Sequence, residues 1–215
     1  MSDAPGLFVT LEGVDGSGKS TQAALLLEWL EDDGYEAIQT REPGGTEVGR
    51  LIRDIVLHHK GAVDPRAEAL LFAADRAHHV QTVVRPALER GAVVVQDRYI
   101  DSSVAYQGAG RVLDPGEVRR LSLWATRDLV PDLTVLFDLD PVVARERIVR
   151  GRGEADRLES EADGFQERVR EAYLAMADAE PGRFLVLDGA ADAAILAAAV
   201  RERIAPLLGA VTRHD

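Results

Sequence analysis

Short apolar runs alternate along this chain with longer segments whose apolar residues recur every three or four positions. Residues 7–12 form the first run and predict a buried strand that opens onto a glycine-rich turn. Over 21–32, Ala23, Leu26, Leu27 and Leu30 recur at helical spacing, and Gly34 closes the helix. Residues 35–40 predict a second strand, 41–46 a turn-rich loop and 47–57 a helix. A long helix is expected over 65–90, with Pro86 kinking or interrupting it. The clearest strand is 92–96, rich in valine and bounded by Gly91 and Asp97. Helical stretches over 102–107 and 115–127 follow, then a strand at 133–139, helices at 141–150 and 165–179, a strand at 183–187 and a last helix at 191–208. Trp29 and Trp124 are expected in the core. Strands alternating with helices predict an α/β fold of three layers, a parallel five-stranded sheet with helices on both faces, in one domain spanning 1–215. The segment 150–163 is charged and has little to bury, so it is expected to be a mobile lid.

The turn after the first strand carries the clearest chemistry. Gly13 and Gly18 frame four residues and are followed by Lys19 and Ser20, at the junction of a strand and a helix. Glycines at that spacing let backbone N–H groups converge on phosphates, and the helix presents its positive end to the same charge. Lys19 is placed to reach the β and γ phosphates and the Ser20 hydroxyl to bind Mg²⁺. This is a P-loop, and the fold it implies is that of the P-loop NTPases, with a nucleoside triphosphate and Mg²⁺ as ligands.

A second site follows the valine-rich strand. Asp97 stands at its C-terminal tip, where open α/β sheets bind ligands, and can hold Mg²⁺ through water; Arg98 next to it would face a phosphate. The third feature is Arg150, Arg152 and Arg157 in the expected lid. Phosphoryl transfer needs cations near the moving group and water kept out, and a closing arginine-bearing loop supplies both. Several guanidinium groups around one cradle point to two phosphate sites, donor and acceptor, and so to a kinase acting on a phosphorylated acceptor. A kinase for another deoxynucleotide or nucleoside, or a nucleotide-binding module without turnover, stays open on these residues alone.

Composition sharpens this. The formal charge is −12, which argues against a nucleic-acid partner, so the cations must be concentrated locally. Lys19 and Lys60 are the only lysines, and one of them lies in the P-loop. The absence of cysteine excludes disulfides and thiolate metal sites. With no membrane-length apolar run and no signal-like N-terminus, a cytoplasmic protein without a membrane partner is expected. The pairs His58-His59 and His78-His79 lack metal-ligand spacing and read as structural or exposed.

Taken together, the motifs at 11–21, 40–46, 71–76, 97–108 and 150–159 resemble the thymidylate kinase family over nearly the whole chain. The resemblance implies conversion of dTMP to dTDP with ATP, a step of dTTP synthesis, by a homodimer. It implies an ATP cradle of Gly13, Val14, Asp15, Gly16, Ser17, Gly18, Lys19, Ser20 and Thr21, and metal support from Ser20, Asp97 and Asp15. In the acceptor site it places Phe72 on the thymine ring and Arg76, Ser103 and Gln107 around the base. Tyr106 lies beneath the sugar and Asp15 near its 3′-hydroxyl. Arg98 clamps the acceptor phosphate, with Arg53, Glu42, Pro43 and Ser102 close by. The catalytic group it implies is Lys19, Arg98, Arg150, Arg152 and Arg157. The family carries its catalytic arginine either in the P-loop or in the lid. Val14, Asp15, Gly16 and Ser17 include none, so the sequence resembles the lid-arginine kind.

Overall fold

Five parallel strands, β1 (Leu7–Glu12), β2 (Ala37–Arg41), β3 (Val93–Asp97), β4 (Leu133–Asp138) and β5 (Phe184–Asp188), form one sheet in the order β2-β3-β1-β4-β5. The structure is a computed structural model that describes residues 6–151, 158 and 163–211. The helices among these residues are α1 (Lys19–Asp32), α2 (Glu47–His58), α3 (Pro65–His79), α4 (Arg85–Glu89), α5 (Ile100–Ser103), α6 (Pro115–Thr126), α7 (Pro141–Gly151), α8 (Asp163–Ala179) and α9 (Ala193–Ile204).

Period-two alternation decides what each face of the sheet buries. Leu7, Val9 and Leu11 of β1 join Val93, Val95, Leu133, Val135 and Phe137 against Leu26 and Leu30 of α1 and Leu196, Val200 and Ile204 of α9. On the opposite face, Phe8 and Val94 meet Val80, Val84, Tyr99 and Ile100, while Leu136 and Phe184 meet Val169 and Tyr173 of α8. The β1 residues that alternate with the apolar set are Phe8, Thr10 and Glu12, all buried, so this face turns polar toward the C-terminal edge. Thr10 and Thr134 share a 3.0 Å hydrogen bond there.

Helices α2, α3 and α6 begin at side chains that accept their first free N–H groups, as α7 does at Asp140. Thr46 caps α2 by accepting from the Gly49 N–H, Asp64 caps α3 and Asp114 caps α6. Each such cap contributes about 1 kcal/mol, and each fixes a helix start close to its sequence-predicted position.

The helix expected over 65–90 is divided. A π-helical turn, Val80–Val84, separates α3 from α4, and the Arg85 N–H bonds the Val80 carbonyl. Pro86 has no N–H to give Thr82, and widening the preceding turn relieves the clash of its ring. A second π-helical stretch, Val104–Gly110, continues α5 and carries Tyr106 and Gln107. Trp124 corrects the sequence expectation: it is 80% exposed on α6, whereas Trp29 packs against the core. Helical spacing cannot tell which stripe of α6 turns inward, because Val118 and Ser122 are the buried residues there. No helix among the described residues is long and apolar enough to cross a membrane.

Candidate active site

β1 is flanked by β3 and β4, so loops leaving β1 and β3 meet where the strand order reverses. The P-loop follows β1 and is pinned by its glycines. Gly13 has φ +132°, and a Cβ there would stand 2.5 Å from the Phe137 carbonyl oxygen. Gly16 has φ +81°, and its Cβ would stand 2.6 Å from the Ala144 carbonyl oxygen. The loop therefore fits between the end of β4 and α7 only without side chains at these positions. Gly18, left-handed, precedes α1, whose first turn has neither a capping side chain nor an acidic residue. That end of α1 keeps its positive partial charge for an anion. Lys19 is buried and donates from Nζ to the Gly13 and Val14 carbonyls, each at 3.0 Å. Burial, and then the Arg98 charge, lowers its pKa.

Beside the P-loop lies a narrow cleft walled by both polar and apolar side chains. Asp15, Glu42, Pro43, Arg53, Phe72, Arg76, Arg98, Ser102, Ser103, Tyr106 and Gln107 all line it, with Leu57 and Leu158. The structure thus brings together every acceptor-site residue named from sequence. Phe72 is a buried member of the cluster that includes Leu57, Tyr106 and Leu158.

Arg76 is 1% exposed and donates from Nε to Glu42 (2.7 Å), from Nη1 to Ser122 (2.9 Å), and from Nη2 to the Tyr99 carbonyl (3.1 Å) and Ser103 (3.0 Å). The other Glu42 oxygen lies 2.9 Å from His79 Nδ1. Gln107 donates to the buried Glu68 at 3.0 Å, which orients its amide. The Arg53 guanidinium bonds the Pro43 carbonyl at 3.0 Å.

Arg98 follows β3 in a left-handed conformation, φ +67°. Its Nη2 donates to Asp15 (2.8 Å) and Tyr106 (3.1 Å), and its Nη1 to Ser102 (3.1 Å) and Tyr173 (3.4 Å). Its guanidinium carbon lies 4.8 Å from the Tyr106 ring centre. Burial opposes its charge, but Asp15, Tyr106, Tyr173 and Asp97 together outweigh that and hold its pKa above the usual guanidinium value. Asp15 also lies 3.9 Å from Lys19 Nζ.

Ser20 and Asp97 share a second cleft with Thr40, Arg41, Gly44 and Gly45. The Asp97 Oδ1 is buried and has no hydrogen-bond partner. An orphaned carboxylate oxygen beside a serine hydroxyl fits a hard cation that keeps most of its waters, as Mg²⁺ does. Asp15, named with them from sequence, sits instead in the Arg98 cleft. Among the described residues no group of three His, Cys, Asp or Glu converges as a metal cage.

Of the three arginines expected in a lid, Arg150 lies in the last turn of α7 as an exposed ion pair with Glu146 at 2.8 Å. Arg152 and Arg157 lie outside the described residues.

Sequence reasoning passed over two groups that hold the site. Glu12 ends β1 fully buried and accepts from the Tyr99 N–H, Ser102 and Tyr173. Burial, and then the nearby Asp101 charge, raises its pKa to about 7. The available signal was an acid closing an apolar strand directly before the P-loop. His79 is buried between Glu42 and Thr40, whereas His58, His59 and His78 are exposed. Its signal was its place three residues after Arg76, on the same helix face.

The chain is similar to known proteins over most of its length. The thymidylate kinase family model matches residues 11–199. The thymidylate kinase of Clavibacter michiganensis subsp. michiganensis is 65% identical over 205 residues, covering 95% of this chain and 97% of that one. That of Bifidobacterium longum is 53% identical over 206 residues, covering 94% and 98%. The crystal structure of thymidylate kinase from Ehrlichia chaffeensis superposes with a TM-score of 0.76 at 31% identity, covering 94% of this chain and all of that one.

Proposed function

The chain belongs to the thymidylate kinase family, and on that premise we propose that dTMP occupies the cleft beside Arg98 while ATP lies on residues 13–21. The enzyme phosphorylates dTMP with ATP. The observation that carries the site assignment is the position of Asp15. It touches Lys19 of the donor cradle and Arg98 of the acceptor cleft, so the two sites share one boundary.

In the acceptor cleft the thymine ring lies against Phe72. Its edge faces Arg76, Ser103 and Gln107, whose polar groups are already oriented by Glu42 and Glu68. Tyr106 supports the sugar and Asp15 its 3′-hydroxyl. Arg98 and Arg53 hold the phosphate, with Glu42, Pro43 and Ser102 completing the wall. In the donor cradle, Lys19 exchanges the Gly13 and Val14 carbonyls for the β and γ phosphates.

An ionised phosphate oxygen of dTMP attacks the γ phosphorus in line while the bond to the β–γ bridging oxygen breaks and ADP leaves, so no general base is needed. The task of the protein is to hold two anions together and to neutralise the charge spread over the moving group. Ser20 and Asp97 would hold Mg²⁺, which when bound supplies further positive charge at the phosphates. Arg150, Arg152 and Arg157 complete the positive shell from a lid over about 150–163, the lid-arginine arrangement, since the P-loop offers only Lys19. Initial rates with ATP and dTMP, set against dCMP and UMP, test this reading.

The enzyme acts as a homodimer. Val48, Leu51 and Ile55 form an exposed apolar stripe on α2; Leu70 on α3 and Trp124 on α6 are exposed as well, and α3 packs against both α2 and α6. Light scattering is expected to give twice the chain mass. A Leu51→Glu, Trp124→Glu variant is expected to run as a monomer, and an unchanged mass would place the contact elsewhere.

A further inference from the structure

We propose that Glu12 is a positioning residue that sets the guanidinium of Arg98 for phosphoryl transfer. The inference rests on the reading of Arg98 as the clamp of the acceptor phosphate. Glu12 is not among the residues that line the acceptor cleft; it lies beneath it at the end of β1 and holds Arg98 by two routes.

The first route is through the backbone. The Glu12 Oε1 accepts the N–H of Tyr99 at 2.7 Å, the peptide group directly after Arg98. Arg98 is a non-glycine residue at φ +67°, a conformation that needs outside support. On its other side the Arg98 N–H bonds the Leu11 carbonyl at 3.0 Å. The strained residue is therefore gripped on both sides by consecutive residues of β1.

The second route is through the side chain. The Glu12 Oε2 accepts from Ser102 Oγ at 2.6 Å and from the Tyr173 hydroxyl at 2.9 Å. With their hydrogens turned to the carboxylate, both hydroxyls offer lone pairs to Arg98, whose Nη1 reaches them at 3.1 and 3.4 Å. Ser102 and Tyr173 are themselves 2.7 Å apart, closing a compact triangle of oxygens. Asp15 and Tyr106 hold Nη2, so Glu12 governs the half of the guanidinium that they do not.

A Glu12→Gln variant replaces one acceptor oxygen by a donor. Either the Tyr99 N–H loses its acceptor, or the two hydroxyls must accept from the amide and turn away from Arg98. The experiment compares kcat and both KM values in wild type, Glu12→Gln, Arg98→Ala and the double variant. Glu12→Gln is expected to lose about 10²-fold in kcat, as a small displacement of a positioning group does, with KM for ATP within about twofold. The double variant is expected to be no slower than Arg98→Ala alone, because Glu12 acts only through Arg98. Losses that multiply in the double variant, or a Glu12→Gln kcat within about twofold of wild type, would overturn the proposal.

If Glu12→Gln does not fold, the same cycle is run with Ser102→Ala, Tyr173→Phe, which leaves the Tyr99 bond intact. That pair is expected to lose kcat without adding to the Arg98→Ala loss, and a multiplying loss counts against Glu12 equally. Full activity of Arg98→Ala by itself would instead remove the assignment of Arg98.

Discussion

Arg98→Ala is expected to lower kcat for dTMP phosphorylation by about 10³-fold, near 4 kcal/mol of barrier, while KM for ATP changes by less than about threefold. In the proposed site Arg98 is the cation at the boundary of the two phosphate positions, and Asp15, Tyr106, Ser102 and Tyr173 hold it in place. A group held in advance costs no reorganisation when charge develops, which is why its loss falls on kcat. Lysine will not replace it, since one ammonium cannot meet four partners that diverge from a planar fork. Steady-state kinetics with both substrates varied would check the split between kcat and KM.

The second large effect is on stability. Arg76→Ala is expected to destabilise the fold by about 3–5 kcal/mol, because it leaves Glu42, Ser103 and Ser122 buried without the guanidinium they share. The midpoint of thermal unfolding should fall on the order of 10 °C for a chain of this size. The same variant should raise KM for dTMP, since Arg76 lines the acceptor cleft, and leave KM for ATP near its starting value. A shift of only a degree or two would mean that His79 alone satisfies Glu42.

These two arginines mark what the sequence made legible. Arg98 stands at a strand tip where its residue type points to phosphate, Arg76 was named through the family resemblance alone, and the alternation of apolar runs and helical spacing placed each strand within two or three residues. The shared cleft joins loops and helices distant in the chain; the family resemblance named most of its lining beforehand, but not Leu57 and Leu158. What stayed hidden was the support beneath. Glu12 sits in the even-numbered register of β1, and alternation alone cannot distinguish a buried polar column from a solvated face. His79 was one of two adjacent histidines, and only the packing of α3 against the 41–46 loop separates the buried one from its exposed neighbour. Trp124 failed for the opposite reason: an aromatic residue carries no sign of whether its apolar surface turns to the core or outward.

The central claim is that the cleft lined by Phe72, Arg76, Ser103 and Gln107 selects a thymine monophosphate for the ATP held on the P-loop. It is tested most directly by kcat/KM for dTMP against dCMP and UMP with ATP·Mg²⁺ and the purified enzyme. The cleft orients its polar groups toward one base edge, so dTMP should be preferred by about 10²-fold or more. Equal rates on the three monophosphates, or transfer to dCMP or UMP with none to dTMP, would contradict the account.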